Sequence, residues 1–196
     1  MKRIAILGSA LSGGAAQIIE AMNGNLDLIP EFILDSDPNA IDGNVYGVKI
    51  IGSTNQVINL WNKKLFDAAV VAIGGNLKER NILFEKLKEN KIETINIIDQ
   101  SVKFGFNVSI GSGNVILNST YLGNNVQLGD NNYILNQCSV QHDSKIGNSN
   151  YFATNVTIGA KVKIGNENRF KIKSIVETSV CIDNFSTLES GEIKSL

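Results

Sequence analysis

The stretch VQLGDNNYILNQCSVQHDSKIGNSNYFATNVTIG, Val126 to Gly159, decides the fold. Its bulky apolar residues recur at every sixth position. Counted from Phe104, the series runs through Ile110, Ile116, Leu122, Leu128, Ile134, Val140, Ile146 and Phe152 to Leu188, fifteen positions without a miss. Four places after each stands a small or compact residue, as in Val126, Asn132, Cys138, Ser144 and Asn150. An amphipathic helix repeats every three to four residues and a strand every two, so a sustained period of six is neither. It specifies a hexapeptide β-helix, a solenoid in which each coil touches only its neighbours.

A period of eighteen lies on top of the six. Ile110-Gly111 with Asn114 recurs as Leu128-Gly129 with Asn132, Ile146-Gly147 with Asn150, and Ile164-Gly165 with Asn168. Three hexapeptides therefore make one triangular coil, and about five coils fit between Phe104 and Leu188. The four asparagines are expected to stack along one edge and to hydrogen-bond at a strand spacing of about 4.8 Å. Glycine after the apolar residue and asparagine in the corners suit turns that visit positive φ. The period leaves handedness open.

Upstream of residue 100 the pattern changes. Arg3–Gly8, Glu31–Asp35, Val48–Gly52 and Phe66–Gly75 read as strands; Ala15–Met22, Asn55–Asn62 and Leu77–Lys88 read as helices; Ile92–Ile98 reads as a closing strand. Strands alternating with helices predict a parallel sheet, an α/β domain of the nucleotide-binding sort over residues 1–99, followed by the β-helix over 100–196. In such a domain GSALSGG follows a strand and opens a helix, so its amides are placed to cradle a diphosphate, unless it is a tight turn alone. The residues concerned are Gly8, Ser9, Ala10, Leu11, Ser12 and Gly13. Asp35, Ser36 and Asp37 end the second strand where a ribose or base would lie, the alternative being a solvated turn into Pro38. Gly74, Gly75 and Asn76 end another strand on the same carboxyl edge.

The chain has 196 residues and a formal charge of −1, with a pI of about 5.9. No basic stripe points to nucleic acid. The start MKRIAILGSA has too short an apolar run for a secretory signal, and no stretch approaches a membrane span, so a soluble cytoplasmic protein is expected. Cys138 and Cys181 lie far apart and read as buried thiols in a reducing compartment. One histidine excludes a three-histidine metal site. That residue, His142, occurs in SVQHDSKIG two places after inward Val140. It should therefore project from a corner, over a column where Asn124 and Ala160 leave an open shelf.

With an α/β half, a β-helix half and V-x-H-D-x-x-I-G, the chain resembles the sialic acid O-acetyltransferase and nucleotide-4-amino-sugar N-acetyltransferase (NeuD/PglD-like) family over nearly its whole length. GSALSGG, FILDSDP, the segment around Asp42–Gly47, AIGGN and VQHDSKIG fall in the family order. The resemblance implies a left-handed β-helix, a Rossmann-like nucleotide-sugar-binding domain, and a homotrimer holding acetyl-CoA between neighbouring β-helices. It implies His142 as general base, with Asp143 raising its basicity. Tyr151 stands where the family often has a second histidine, so the acetyl-CoA contact that the resemblance implies there comes from Tyr151 or is absent, and the first loop lacks the usual histidine.

On that reading, an amine or hydroxyl attacks the thioester and neutral His142 takes the proton. A backbone N–H near Gly159 or Ala160 holds the carbonyl oxygen, and Ile172 lines the pantetheine groove. Arg169, Lys171 and Lys173 meet the CoA phosphates, unless they form a solvated face. Neither cysteine suits a nucleophile, and no metal, nucleic acid or membrane is called for. The expected activity is acetyl transfer to a nucleotide-linked 4-amino-4,6-dideoxy sugar. The alternatives are a sugar O-acetyltransferase of the sialic acid type and a catalytically silent trimeric scaffold.

Overall fold

The computed structural model describes residues 1–8, 11 and 13–196. They divide into two compact units, Met1–Ile97 and Ile98–Leu196. The first is built of β1 (Lys2–Leu7), α1 (Gly14–Met22), β2 (Leu28–Leu34), β3 (Asn44–Val45), β4 (Val48–Gly52), α2 (Val57–Asn62), β5 (Ala68–Val71) and α3 (Leu77–Glu89). The sheet has the order β3-β4-β2-β1-β5. β1 pairs in parallel with β2 and β5, β2 in parallel with β4, and only the short β3–β4 hairpin is antiparallel. Ile4 to Leu7 of β1 are fully buried, as the central strand of a covered parallel sheet requires.

Several expected boundaries move. β2 starts three residues earlier, at Leu28, and β5 keeps only Ala68–Val71 of the Phe66–Gly75 run. A 3-10 turn over Thr54–Gln56 precedes α2. The segment Ile92–Ile98 is not a strand of this sheet: it makes one isolated bridge, Ala69 to Thr94, and its last two residues form the first strand of the β-helix.

The second unit is a three-sided parallel β-helix of two-residue strands. One face stacks Lys103–Phe104, Tyr121–Leu122, Ser139–Val140, Thr157–Ile158, Ile175–Val176 and Ile193–Lys194; the next begins at Ser109–Ile110; the third runs from Ile97–Ile98 to Thr187–Leu188. Every pairing is between residues eighteen apart, for example Leu122 with Val140 and Val140 with Ile158. From Val115–Ile116 to Thr187–Leu188 the second residue of each strand points inward, and Ile116, Leu122, Ile134, Ile158 and Phe170 reach zero exposure, while Phe104 and Lys194 in the end coils are exposed. Phe152 and Phe170 stack with centroids 4.7 Å apart and planes 5° from parallel.

The asparagine edge forms as expected. Asn114 Oδ1 accepts from the Asn132 backbone N–H at 2.8 Å and from Asn132 Nδ2 at 3.1 Å. Asn132 Oδ1 does the same for Asn150, and Asn150 Oδ1 accepts from the Asn168 N–H. The carboxamides of Asn114, Asn132 and Asn150 also donate across the corner, Asn132 Nδ2 to Gly147 O at 2.9 Å. The buried carboxamides of Asn114, Asn132 and Asn150 are thereby satisfied within the column, whereas Asn168 Nδ2 at its end is buried without a partner among the described residues.

The glycines have a different reason from the expected one. The left-handed residue of each hexad is the third after the inward position, with φ between 55° and 66° at Asn107, Ser119, Asn125 and every sixth residue to Phe185. Glycine directly after the inward position is instead a matter of close approach. A Cβ on Gly129 would lie 2.8 Å from Gly147 O.

Cys138 is buried, but Cys181 is exposed. Cys181 is the outward first residue of its strand, beside inward Ile182. Cys138 occupies the corner column, where burial pushes its thiol up to about 12, so it supplies no thiolate at neutral pH.

Candidate active site

His142 lies in the corner that joins strand Ser139–Val140 to strand Lys145–Ile146. Its side chain is 52% exposed, and its Nδ1 lies 2.8 Å from Asp143 Oδ2. Asp143 is the left-handed residue of that corner, at φ 59°, a conformation aspartate tolerates through its short polar side chain. Asn125, eighteen residues earlier, donates Nδ2 to Asp143 Oδ1 at 2.8 Å, and Asn107 Nδ2 in turn reaches Asn125 Oδ1 at 3.3 Å.

The hydrogen bond from His142 and then that from Asn125 hold the Asp143 carboxyl below its ordinary value, with a smaller push from the Lys161 charge. An ionised Asp143 accepts only. Nδ1 of neutral His142 must then carry the proton, which leaves the Nε2 lone pair open. Sequence reading missed Asn125, although the eighteen-residue period already placed it in the column of Asp143.

One coil on, the Gly159 N–H donates to Val176 O at 2.8 Å. It is consumed by the ladder, which corrects the expectation that either Gly159 or Ala160 can supply a free donor. Gly159 instead admits the next coil, since a Cβ there would lie 2.6 Å from the Thr178 nitrogen. Ala160 is different. At the neighbouring corner the equivalent N–H groups of Asp130, Asn148 and Asn166 are each capped by the carboxamide one coil on. Among the described residues, no acceptor caps the N–H of Ala160.

The other expected CoA contacts lie elsewhere on the β-helix. Tyr151 is on the third face, its ring centroid 6.4 Å from that of Tyr133 and 5.5 Å from the Arg169 guanidinium. Ile172, 52% exposed, lies in the following corner. Within one chain neither joins His142. Lys171 is paired with Glu189, and Lys173 is a left-handed corner residue at φ 60°.

In the first unit, Gly8, Asp35 and Gly74 follow the carboxyl ends of β1, β2 and β5 on one edge of the sheet. Gly8 has φ 85°, and a Cβ there would meet Ile73 Cγ1 at 2.6 Å. Asp35 is buried, its Oδ1 accepting the Asp37 N–H at 2.9 Å, so it shapes the turn. Asp37 Oδ1 accepts the Asn39 N–H. Exposed Ser36 has its hydroxyl 2.6 Å from Thr54 Oγ1.

Gly75 is exposed, and Asn76 caps α3, accepting the Glu79 N–H at 3.2 Å. Buried Arg80 donates Nη1 to Gly74 O at 2.8 Å and fixes that loop. Leu11 is exposed and Gly13 left-handed; Ser9, Ala10 and Ser12 lie outside the described residues. The cavity between the end of α1 and the start of β2, lined by Met22, Asn25, Pro30 and Tyr46, is away from this edge.

Among the described residues, no three His, Cys, Asp or Glu side chains group to hold a metal, and no helix is long and apolar enough to cross a membrane.

No protein-family model and no curated protein sequence matches the chain. Solved structures do. PerB from Caulobacter crescentus, in complex with CoA and GDP-perosamine, superposes with a TM-score of 0.67 at 20% identity, over 100% of this chain and 93% of that one. A histidine-to-alanine variant of GDP-perosamine N-acetyltransferase from the same organism, with the same ligands, gives 0.68 at 20% identity, over 100% and 92%. The acetyltransferase domain of PglB from Neisseria gonorrhoeae FA1090, in complex with acetyl coenzyme A, gives 0.67 at 19%, over 98% and 93%. At such identity the likeness is one of fold, and this chain shares the fold of those structures.

Proposed function

We propose that the protein is an acetyl-CoA-dependent N-acetyltransferase acting on a nucleotide-linked amino sugar, with His142 as general base. The observation that carries this is the His142–Asp143 contact, which leaves Nε2 open one coil from the uncapped Ala160 N–H. Two acetyltransferases of the same fold, crystallised with CoA or acetyl-CoA, support the cofactor, and GDP-perosamine in one of them supports the substrate class.

The step is a direct transfer. The sugar amine attacks the thioester carbon while Nε2 of neutral His142 takes its proton. Ionised Asp143 stabilises the resulting imidazolium. The Ala160 N–H receives the oxyanion. The carbon–sulfur bond then breaks, the thiolate takes a proton from the imidazolium, and the products are the N-acetyl sugar and CoA thiol. The reading further takes the second unit as a left-handed β-helix. It takes the first as a Rossmann-like domain whose carboxyl edge, with Ser36, Gly75 and the loop after Gly8, holds the nucleotide. A homotrimer in the cytoplasm completes it: Tyr151 and Ile172 of a neighbouring copy then line the groove that His142 faces.

The test is thiol release from acetyl-CoA against UDP-, dTDP- and GDP-linked 4-amino sugars, comparing wild type with His142→Ala. Turnover of one sugar, lost by roughly 100-fold or more in the variant, is the expected result. Equal activity of the two removes His142 from the base role. Activity only on hydroxyl acceptors replaces N- by O-transfer, and absence of any acetyl-CoA binding leaves a scaffold.

A further inference from the structure

The corner column beneath His142 reads Val108, Val126, Ser144, Val162 and Val180, a single hydroxyl among valines. Ser144 has no exposure to solvent. Its Oγ donates to Gly159 O at 2.9 Å and accepts the Val162 N–H at 3.1 Å. Where the column holds valine, the chain closes the corner on itself with longer bonds, Val126 N–H to Gly123 O at 3.3 Å and Val180 N–H to Glu177 O at 3.4 Å. Ser144 thus inserts a hydroxyl between a donor and an acceptor that otherwise meet directly. Packing alone is satisfied by valine, as four coils of this corner demonstrate.

The Gly159 carbonyl belongs to the same peptide unit as the Ala160 N–H. The unit is planar and conjugated, so a hydrogen bond at its oxygen both fixes the direction of the N–H and polarises it. Gly159 adds no Cβ of its own to hold that plane. We infer that Ser144 is a positioning residue for acyl transfer, holding the Gly159–Ala160 peptide so that the Ala160 N–H meets the thioester oxygen as negative charge develops there. This rests on the reading of His142 and Ala160 given above.

The experiment compares wild type, Ser144→Val, Ser144→Thr and Thr120→Val. Valine is the residue this column uses, so Ser144→Val is expected to fold. Thr120 Oγ1 makes the equivalent bond to Leu135 O, at 3.2 Å, in a corner away from His142, which makes Thr120→Val the structural control. Ser144→Val is expected to lower kcat about three- to tenfold, the worth of one neutral hydrogen bond. The KM for acetyl-CoA and the pH profile stay as in wild type, Ser144→Thr restores kcat, and Thr120→Val leaves it alone. Wild-type kcat in Ser144→Val, or an equal loss in Thr120→Val, overturns the inference.

A second readout needs no acceptor sugar. In 15N-alanine-labelled protein, acetyl-CoA should shift the Ala160 amide resonance in wild type and shift it less in Ser144→Val. Equal shifts, or none in wild type, overturn the inference. Absence of turnover alongside the expected shifts overturns only the choice of acceptor.

Discussion

Asn125 Nδ2 and Asp143 Oδ1 lie 2.8 Å apart across one coil of the β-helix, and the other oxygen of the same carboxylate holds His142 Nδ1 at the same distance. The carboxylate is thus fixed from two sides, and both bonds hold it below its ordinary value. Because the folded-state value is depressed, the stability it contributes is present above the ordinary carboxylate range and lost as pH falls through the folded value.

Asn125→Ala removes the second bond. The Asp143 carboxyl resonance, followed by 13C NMR, should then titrate at higher pH than in wild type, and kcat should fall severalfold as the imidazole loses its fixed partner. Asp143→Asn should cost roughly tenfold or more, since an amide does not stabilise the imidazolium. An unmoved Asp143 titration in Asn125→Ala means that Asn125 does not hold the carboxylate.

The inner asparagine column should matter more to stability than the outer one. Asn132→Ala leaves the Asn150 N–H and the Gly147 carbonyl without this partner and takes the carboxamide donor from Asn114 Oδ1, which keeps the backbone N–H of residue 132. With each buried unsatisfied group costing about 1–3 kcal/mol, the loss should reach several kcal/mol in urea unfolding. Asn148→Ala removes one exposed cap, on the Asp130 N–H, and should cost about 1 kcal/mol or less. Equal losses would mean that burial of the column carries no weight.

The two thiols should differ sharply. Cys181 is exposed and should react with a disulfide reagent in the native protein, whereas Cys138, buried and with its thiol raised to about 12, should react only on unfolding. Modification of Cys181 should leave turnover intact, because it lies on a face and not at the His142 corner. Two fast thiols in the native state would contradict the packing of Cys138.

Acid should loosen the first unit through Asp67. Its carboxylate accepts from Arg3 Nη2 at 2.8 Å and from the Arg3 backbone N–H at 2.9 Å, and those bonds lower its value from 3.8 to about 2. The folded-state value is depressed, so the contribution is full above 3.8 and disappears as pH falls toward about 2. Asp67→Asn should remove that part of the slope in a plot of thermal midpoint against pH. An unchanged slope assigns the acid sensitivity to other carboxylates.

The period of six and its triple determined, without any coordinates, which residues of the second half point inward, which asparagines stack, and that His142 projects from a corner. Inward and outward follow from backbone geometry repeated locally, so they are written residue by residue. What the column positions do to one another was decided only in three dimensions. Gly129 and Gly159 answer to the closeness of the next coil and not to φ.

The closing strand expected at Ile92–Ile98 dissolved into a bridge and the first turn of the solenoid, because short apolar runs do not say which sheet they join. The bonds of Asn125 and Ser144 link residues 18 and 15 apart. The period shows that such residues lie in adjacent coils. Which donor meets which acceptor depends on how the stacked coils orient their peptides, and only the tertiary structure decides that.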